Sequence, residues 1–136
     1  MNASEMGLPF WPELAALYET PPDLSSCPLY YVHVDERGTS ITLGFETYRL
    51  PDHPRAEWEG ERYNAVRFFV VFTGVDELRV TGIAAEHPDR HDRTVGVVVT
   101  DTGRQQVAVT SGNRSISFSA ATSAVTRSRV YLQGSL

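Results

Sequence analysis

The stretch LPDHPRAEWEGERYNAVRFFVVFTGVDELRVTG, from Leu50 to Gly82, decides how the rest of the chain is read. Pro51 and Pro54 cannot donate to a strand ladder, so its first part is a polar crossing that carries Trp58. Tyr63–Thr73 then places Val66, Phe68, Val70 and Phe72 on one side and Phe69 and Val71 on the other. Apolar residues on both faces predict a central strand covered from both sides. The turn Gly74-Val75-Asp76 leads into a more polar strand, Glu77–Gly82, which is predicted to pair back on it as a hairpin.

Upstream, Pro12 suits the first turn of a helix, and Leu14, Leu17 and Tyr18 follow at i, i+3, i+4 spacing. Pro21-Pro22 ends that pattern, so a short amphipathic helix over Pro12–Glu19 is predicted, with Phe10 or Trp11 packed beside it. Leu29–Asp35 and Ser40–Glu46 read as a hairpin joined through Glu36-Arg37-Gly38-Thr39, whose glycine can take a positive φ, with one buried and one wetter face. Downstream, Thr94–Thr100, Gln105–Thr110 and Ser115–Ala120 read as strands separated by Asp101-Thr102-Gly103 and Ser111-Gly112-Asn113. Ala124–Leu132 closes the series as a β-branched and aromatic strand. About eight short strands at hairpin spacing, with one short N-terminal helix, predict a mainly β fold: an antiparallel β-sandwich or an open barrel.

At 136 residues the chain is expected to be a single domain with its core over about residues 10–132. Its 41% apolar and 21% charged residues are those of an ordinary globule. The longest apolar run, Phe68–Phe72, is far too short to span a bilayer, and the first residues show no secretory signal, so a cytoplasmic location without membrane contact is expected. The single cysteine, Cys27, has no partner for an internal disulfide.

Charge is uneven along the chain. Residues 1–65 carry 11 acids against 4 arginines, whereas residues 102–136 carry 4 arginines and no acid, within a total of −5. All twelve cationic side chains are arginine. A mildly acidic chain disfavours nucleic-acid binding, which needs a basic surface, and suits a basic protein partner. The alternative is a solvated acidic face that serves solubility.

Candidate chemistry is sparse. His87, Asp89, His91 and Asp92 crowd one loop, but zinc needs three or four converging ligands, and Pro88 with two arginines is poor company for a cation. That loop reads as a solvated polar turn. His33 and His53 have no nucleophile or orienting acid evident beside them, and Ser111, Ser115, Ser117, Ser119 and Ser123 fall at turn or outward strand positions. No glycine-rich phosphate loop opens a helix. No catalytic residue, metal or cofactor is therefore expected. Glu57, Glu59 and Glu61 alternate in an extended segment, which would project them together around Trp58 as a partner-binding rim. Burial of Trp58 under the sheet is the favoured reading of that residue. Asp89 and Asp92 are the second acidic candidates.

Trp11 with ELAALY, Pro22-Asp23-Leu24, the strand ITLGFE, Leu50-Pro51, Pro54, Trp58, Asn64-Ala65-Val66 and FTGVDELRVTG together resemble the Immunity protein 50 family over roughly residues 10–132. Order and spacing carry the resemblance more than any one residue. It implies a small bacterial protein of a polymorphic toxin system, encoded beside a toxin that it binds and neutralises. The family pattern brings no catalytic residues with it. The chain departs from the pattern in the 86–93 loop and in Arg55-Ala56-Glu57 before Trp58, positions that bear on which toxin is met. The competing reading is a small-molecule-binding β-barrel or an enzyme, with Tyr30, Tyr31 and the histidines lining an interior pocket. Oligomeric state is open. The strand Ser115–Ala120 is the edge that could pair with a copy of itself, weakly because of its serines.

Overall fold

The computed structural model describes residues 9–82 and 93–132. The elements run in order as helix α1 (Pro12–Leu17) and strands β1 (Leu29–Asp35), β2 (Ser40–Thr47), β3 (Ala65–Thr73), β4 (Asp76–Thr81), β5 (Arg93–Val99), β6 (Gln105–Ser111), β7 (Arg114–Ala120) and β8 (Thr122–Tyr131), with short 3-10 turns at Leu24–Ser26 and Ala56–Trp58. The fold is mainly β, as expected. The strands form two antiparallel four-stranded sheets, ordered β1-β2-β3-β8 and β4-β7-β6-β5, and neither sheet closes into a barrel. By contact density the chain divides into two units. One comprises Val34–Ile41 and Phe72–Ser123; the other comprises Phe10–His33, Thr42–Val71 and the chain from Ala124 onward.

In the second unit, α1 starts at the proline that needs no N–H partner and stops at Tyr18, whose extended backbone returns its N–H to the Leu14 carbonyl. Leu14, Leu17 and Trp11 are buried, while Phe10 is 76% exposed, so Trp11 is the aromatic that packs. β3 is internal to its sheet, as its apolar pattern requires. Val66, Phe68 and Val70 are fully buried, with Phe45 stacked on Phe68 at 5.5 Å, whereas Arg67, Phe69 and Val71 on the other face are half-buried. Burying one such large apolar side chain contributes about 1.5–3 kcal/mol.

In the first unit, β6 alternates strictly between buried and exposed residues and packs its buried face in register with β5 and β7. Val97 stands opposite Val107 and Val107 opposite Phe118, all buried, and Val95 stands opposite Val109. Phe118 meets Phe72 edge-on at 5.3 Å.

Four expectations are corrected. The strand after Gly74 does not pair with β3; β4 pairs antiparallel with β7. β3 already has β2 and β8 on its two edges and offers no third. Left-handed φ values at Gly74 (64°) and Glu77 (55°) turn the chain away instead. Arg104 holds that turn, donating through Nη2 to the Gly74 carbonyl (2.9 Å) and Asp76 (3.2 Å) and through Nε to Ser119 (2.7 Å).

β7 therefore lies between β4 and β6, so Ser115–Ala120 is not an edge. In the β1–β2 turn it is Thr39, at φ 48°, that goes left-handed, with the Asp35 carboxylate accepting from the Arg37 and Gly38 amides. Finally, β1 is an edge strand, exposed on both faces along most of its length.

Candidate functional site

The Pro-rich crossing is not extended at the glutamates. With Pro51 and Pro54 denying it a ladder, its backbone pairs locally: the Trp58 amide donates to the Arg55 carbonyl, Glu59 to Ala56 and Glu61 to Trp58. The resulting 3-10 turn swings Trp58 inward to 6% exposure and breaks the alternation expected of Glu57, Glu59 and Glu61. All three carboxylates are exposed. Glu57 and Glu61 line a groove of about 450 Å³ together with Glu13 and Trp58, across from Arg127 and Arg129 of β8, whereas Glu59 is not part of its lining. Arg55 sits in the same groove, ion-paired with Glu13 and with Glu57 (3.5 Å) and stacked over the Trp58 ring at 5.5 Å. The acidic candidates here thus stand among arginines. Asp89 and Asp92, with the histidines of their loop, lie outside the described residues.

A second constellation went unseen in the sequence. Glu46, on β2, is a buried carboxylate at 6% exposure. Its Oε1 accepts from the Tyr48 hydroxyl at 2.7 Å, and its Oε2 accepts from Arg67 Nε at 3.1 Å and from the Tyr131 hydroxyl. A buried charge is tolerated only when paired and hydrogen-bonded, and three donors satisfy this one. Arg67 is in turn flanked by rings, its guanidinium carbon 4.6 Å from the Tyr30 centroid and 4.3 Å from that of Tyr131. Each such stack is worth about 0.5–1 kcal/mol at an exposed site.

The ring system continues outward. Phe69 meets Tyr30 at 6.0 Å and Tyr31 at 5.6 Å, and His33 stacks on Tyr31 at 6.3 Å. Gly44 is the floor that lets Tyr31 and Phe69 approach, since a Cβ there would sit 2.8 Å from the Tyr31 Cβ and 3.0 Å from the Phe69 ring. Tyr30 and Tyr31 are each 42% exposed and Tyr48 is 53% exposed. They form a surface and do not line an interior pocket, contrary to the barrel reading. Burial pushes the Tyr30 hydroxyl above its ordinary range, against the opposing pull of Arg67 and Arg129, so it remains a neutral donor at physiological pH.

The sequence held one signal for this site. Arg67 is a lone cation inside the apolar run AVRFFVVF, and Glu46 is the acid that ends ITLGFE on the neighbouring strand.

The remaining titratable groups among the described residues offer little chemistry. The Cys27 thiol is buried, which pushes its pKa up and keeps it out of the reactive thiolate form. His53 lies 3.5 Å from Glu19 on an exposed stretch. Among the described residues no three His, Cys, Asp or Glu side chains converge as a metal site requires. What the described residues do present is a half-exposed Tyr/Arg/Phe surface held by a buried carboxylate, the composition of a protein-contact site.

The class so defined is that of a mainly β protein built of two antiparallel sheets. A family model, Immunity protein 50, matches residues 12–131, and the chain belongs to that family. No curated protein and no solved structure matched the chain.

Proposed function

We propose that this chain is an immunity protein that binds a toxin encoded beside it and neutralises it by covering its active site. Membership of the Immunity protein 50 family over residues 12–131 is the observation that carries this reading. The Tyr30–Arg67–Tyr131 stack on Glu46 supports it by supplying a contact surface ordered before the partner arrives. Side chains already locked by stacking and hydrogen bonds lose little freedom on binding, so more of the contact energy appears as affinity. Tyrosine and arginine are also the residue types that dominate binding hot spots. Glu57 and Glu61 of the groove and the exposed Glu59, with Asp89 and Asp92, would meet basic groups of the toxin and raise the association rate. Trp58, being buried, would act by holding that rim in place.

Co-expression tests the reading. Cells producing the toxin domain encoded next to this gene should survive when this chain is made in soluble form. Continued killing at equal or excess soluble chain would reject it.

A further inference from the structure

The groove beside the crossing is lined by four consecutive residues of β8, Thr126 to Arg129. Successive strand side chains point to opposite faces, so four in a row can line one groove only where it follows the open edge of the strand. β8 ends the sheet order β1-β2-β3-β8, so its outer edge has no strand neighbour among the described residues.

The direction of that edge follows from one hydrogen bond. The Tyr131 carbonyl accepts from the Asn64 amide (3.1 Å), which leads directly into β3. Backbone groups alternate in direction along a strand, so Arg129 also faces β3, and Ser128 and Val130 aim their N–H and C=O outward. The Ser128 hydroxyl oxygen is buried and has no hydrogen-bond partner. Arg127 and Arg129 take part in no ion pair among the described residues; of the three carboxylates lining the same groove, Glu13 and Glu57 are already paired with Arg55, which leaves two arginines against Glu61.

We propose that the β8 edge receives an extended, acidic segment of the partner toxin as an added strand. Ser128 and Val130 pair with its backbone, while its carboxylates meet Arg127 and Arg129. This rests on the reading that the partner is a toxin. A second copy of this chain fits poorly, because antiparallel pairing of two β8 edges about Ser128 would set Arg127 against Arg129, and like charges directly opposite are destabilising.

The test compares binding of the neighbouring toxin domain to the wild-type chain, to Ser128→Pro and to the double variant Arg127→Glu with Arg129→Glu. Proline at Ser128 deletes an outward N–H and leaves the β3 ladder intact, a position where strands tolerate it. Both variants should keep the wild-type circular dichroism and lose affinity by at least about tenfold. Toxin bound equally by both would overturn the added strand while leaving the immunity function standing. Should Ser128→Pro misfold, amide exchange in the wild-type complex decides: protection of Ser128 and Val130 is expected, and unchanged exchange overturns the proposal. If the wild type does not bind the toxin at all, the functional reading falls. An alternating Glu-Val hexapeptide then tests the edge alone. Binding that is lost with a Lys-Val peptide supports it, and absence of binding sinks it.

Discussion

Arg67 stands in the middle of an apolar strand because its guanidinium is held there: Glu46 accepts at Nε, and the rings of Tyr30 and Tyr131 flank it. Removing it leaves the Glu46 carboxylate with its two tyrosine donors and no cation. Arg67→Ala should therefore cost about 1.5–3 kcal/mol in urea denaturation, the range for hydrogen bonds to charged groups. Arg67→Lys should recover only part of that, since an ammonium lacks the flat fork that stacks and bonds at once. Equal midpoints for wild type and Arg67→Ala would show that the network contributes nothing. Tyr18 makes a separate prediction. Its hydroxyl donates to the Arg49 carbonyl at 2.7 Å, and burial raises its pKa well above the ordinary 10.0. A raised folded-state pKa gives stability that is complete below the unfolded value and is lost as pH rises above it. Unfolding free energy should thus decline above about pH 10, and Tyr18→Phe should flatten that decline; an unaltered slope would contradict it. The sequence revealed burial of Tyr18 through helical spacing. It gave only a faint sign of the Glu46 network, because a lone charge in an apolar run does not say which distant tyrosines will reach it.

Element boundaries were legible wherever one periodicity ruled. β6 alternates without exception, and Pro12 set the start of α1. The β3–β4 connection was misread because a short glycine turn between two strand-like segments is the signature of a hairpin. What overrode it was long-range: β8, some fifty residues later in the sequence, takes the edge that β4 would have used. The same limit hid the groove, since local pattern shows which residues form β8 but not that it ends a sheet. At the other end of β4, Gly82 has φ 68° and its missing side chain faces the Asn113 carbonyl oxygen, 2.3 Å from where a Cβ would lie. Gly82→Ala must distort backbone on both sides. A loss of about 2–3 kcal/mol is expected, combining left-handed strain with overpacking. Hydrogen exchange should show it as faster exchange in β4 and the facing part of β7. A melting temperature equal to wild type would refute the clash.

Over the whole molecule, charge is divided along the sequence, with acids concentrated before residue 66 and unopposed arginines after residue 101, for a total of −5. A partner matched to such a surface should associate faster than a neutral pair and lose that advantage as salt shortens the screening length from about 10 Å at 0.1 M to about 3 Å at 1 M. The association rate with the toxin domain should fall by about tenfold over that interval, while the dissociation rate should change less. Salt acting mainly on dissociation would place the charges inside the contact and not around it. A chain that acts by occupying its partner inhibits stoichiometrically. Titrating the purified toxin domain with purified chain while following toxin activity tests this most directly. Toxin activity should fall linearly to zero at one equivalent, with both proteins recovered chemically unchanged. Loss of toxin activity at a small fraction of an equivalent, or covalent change in the toxin, would contradict it.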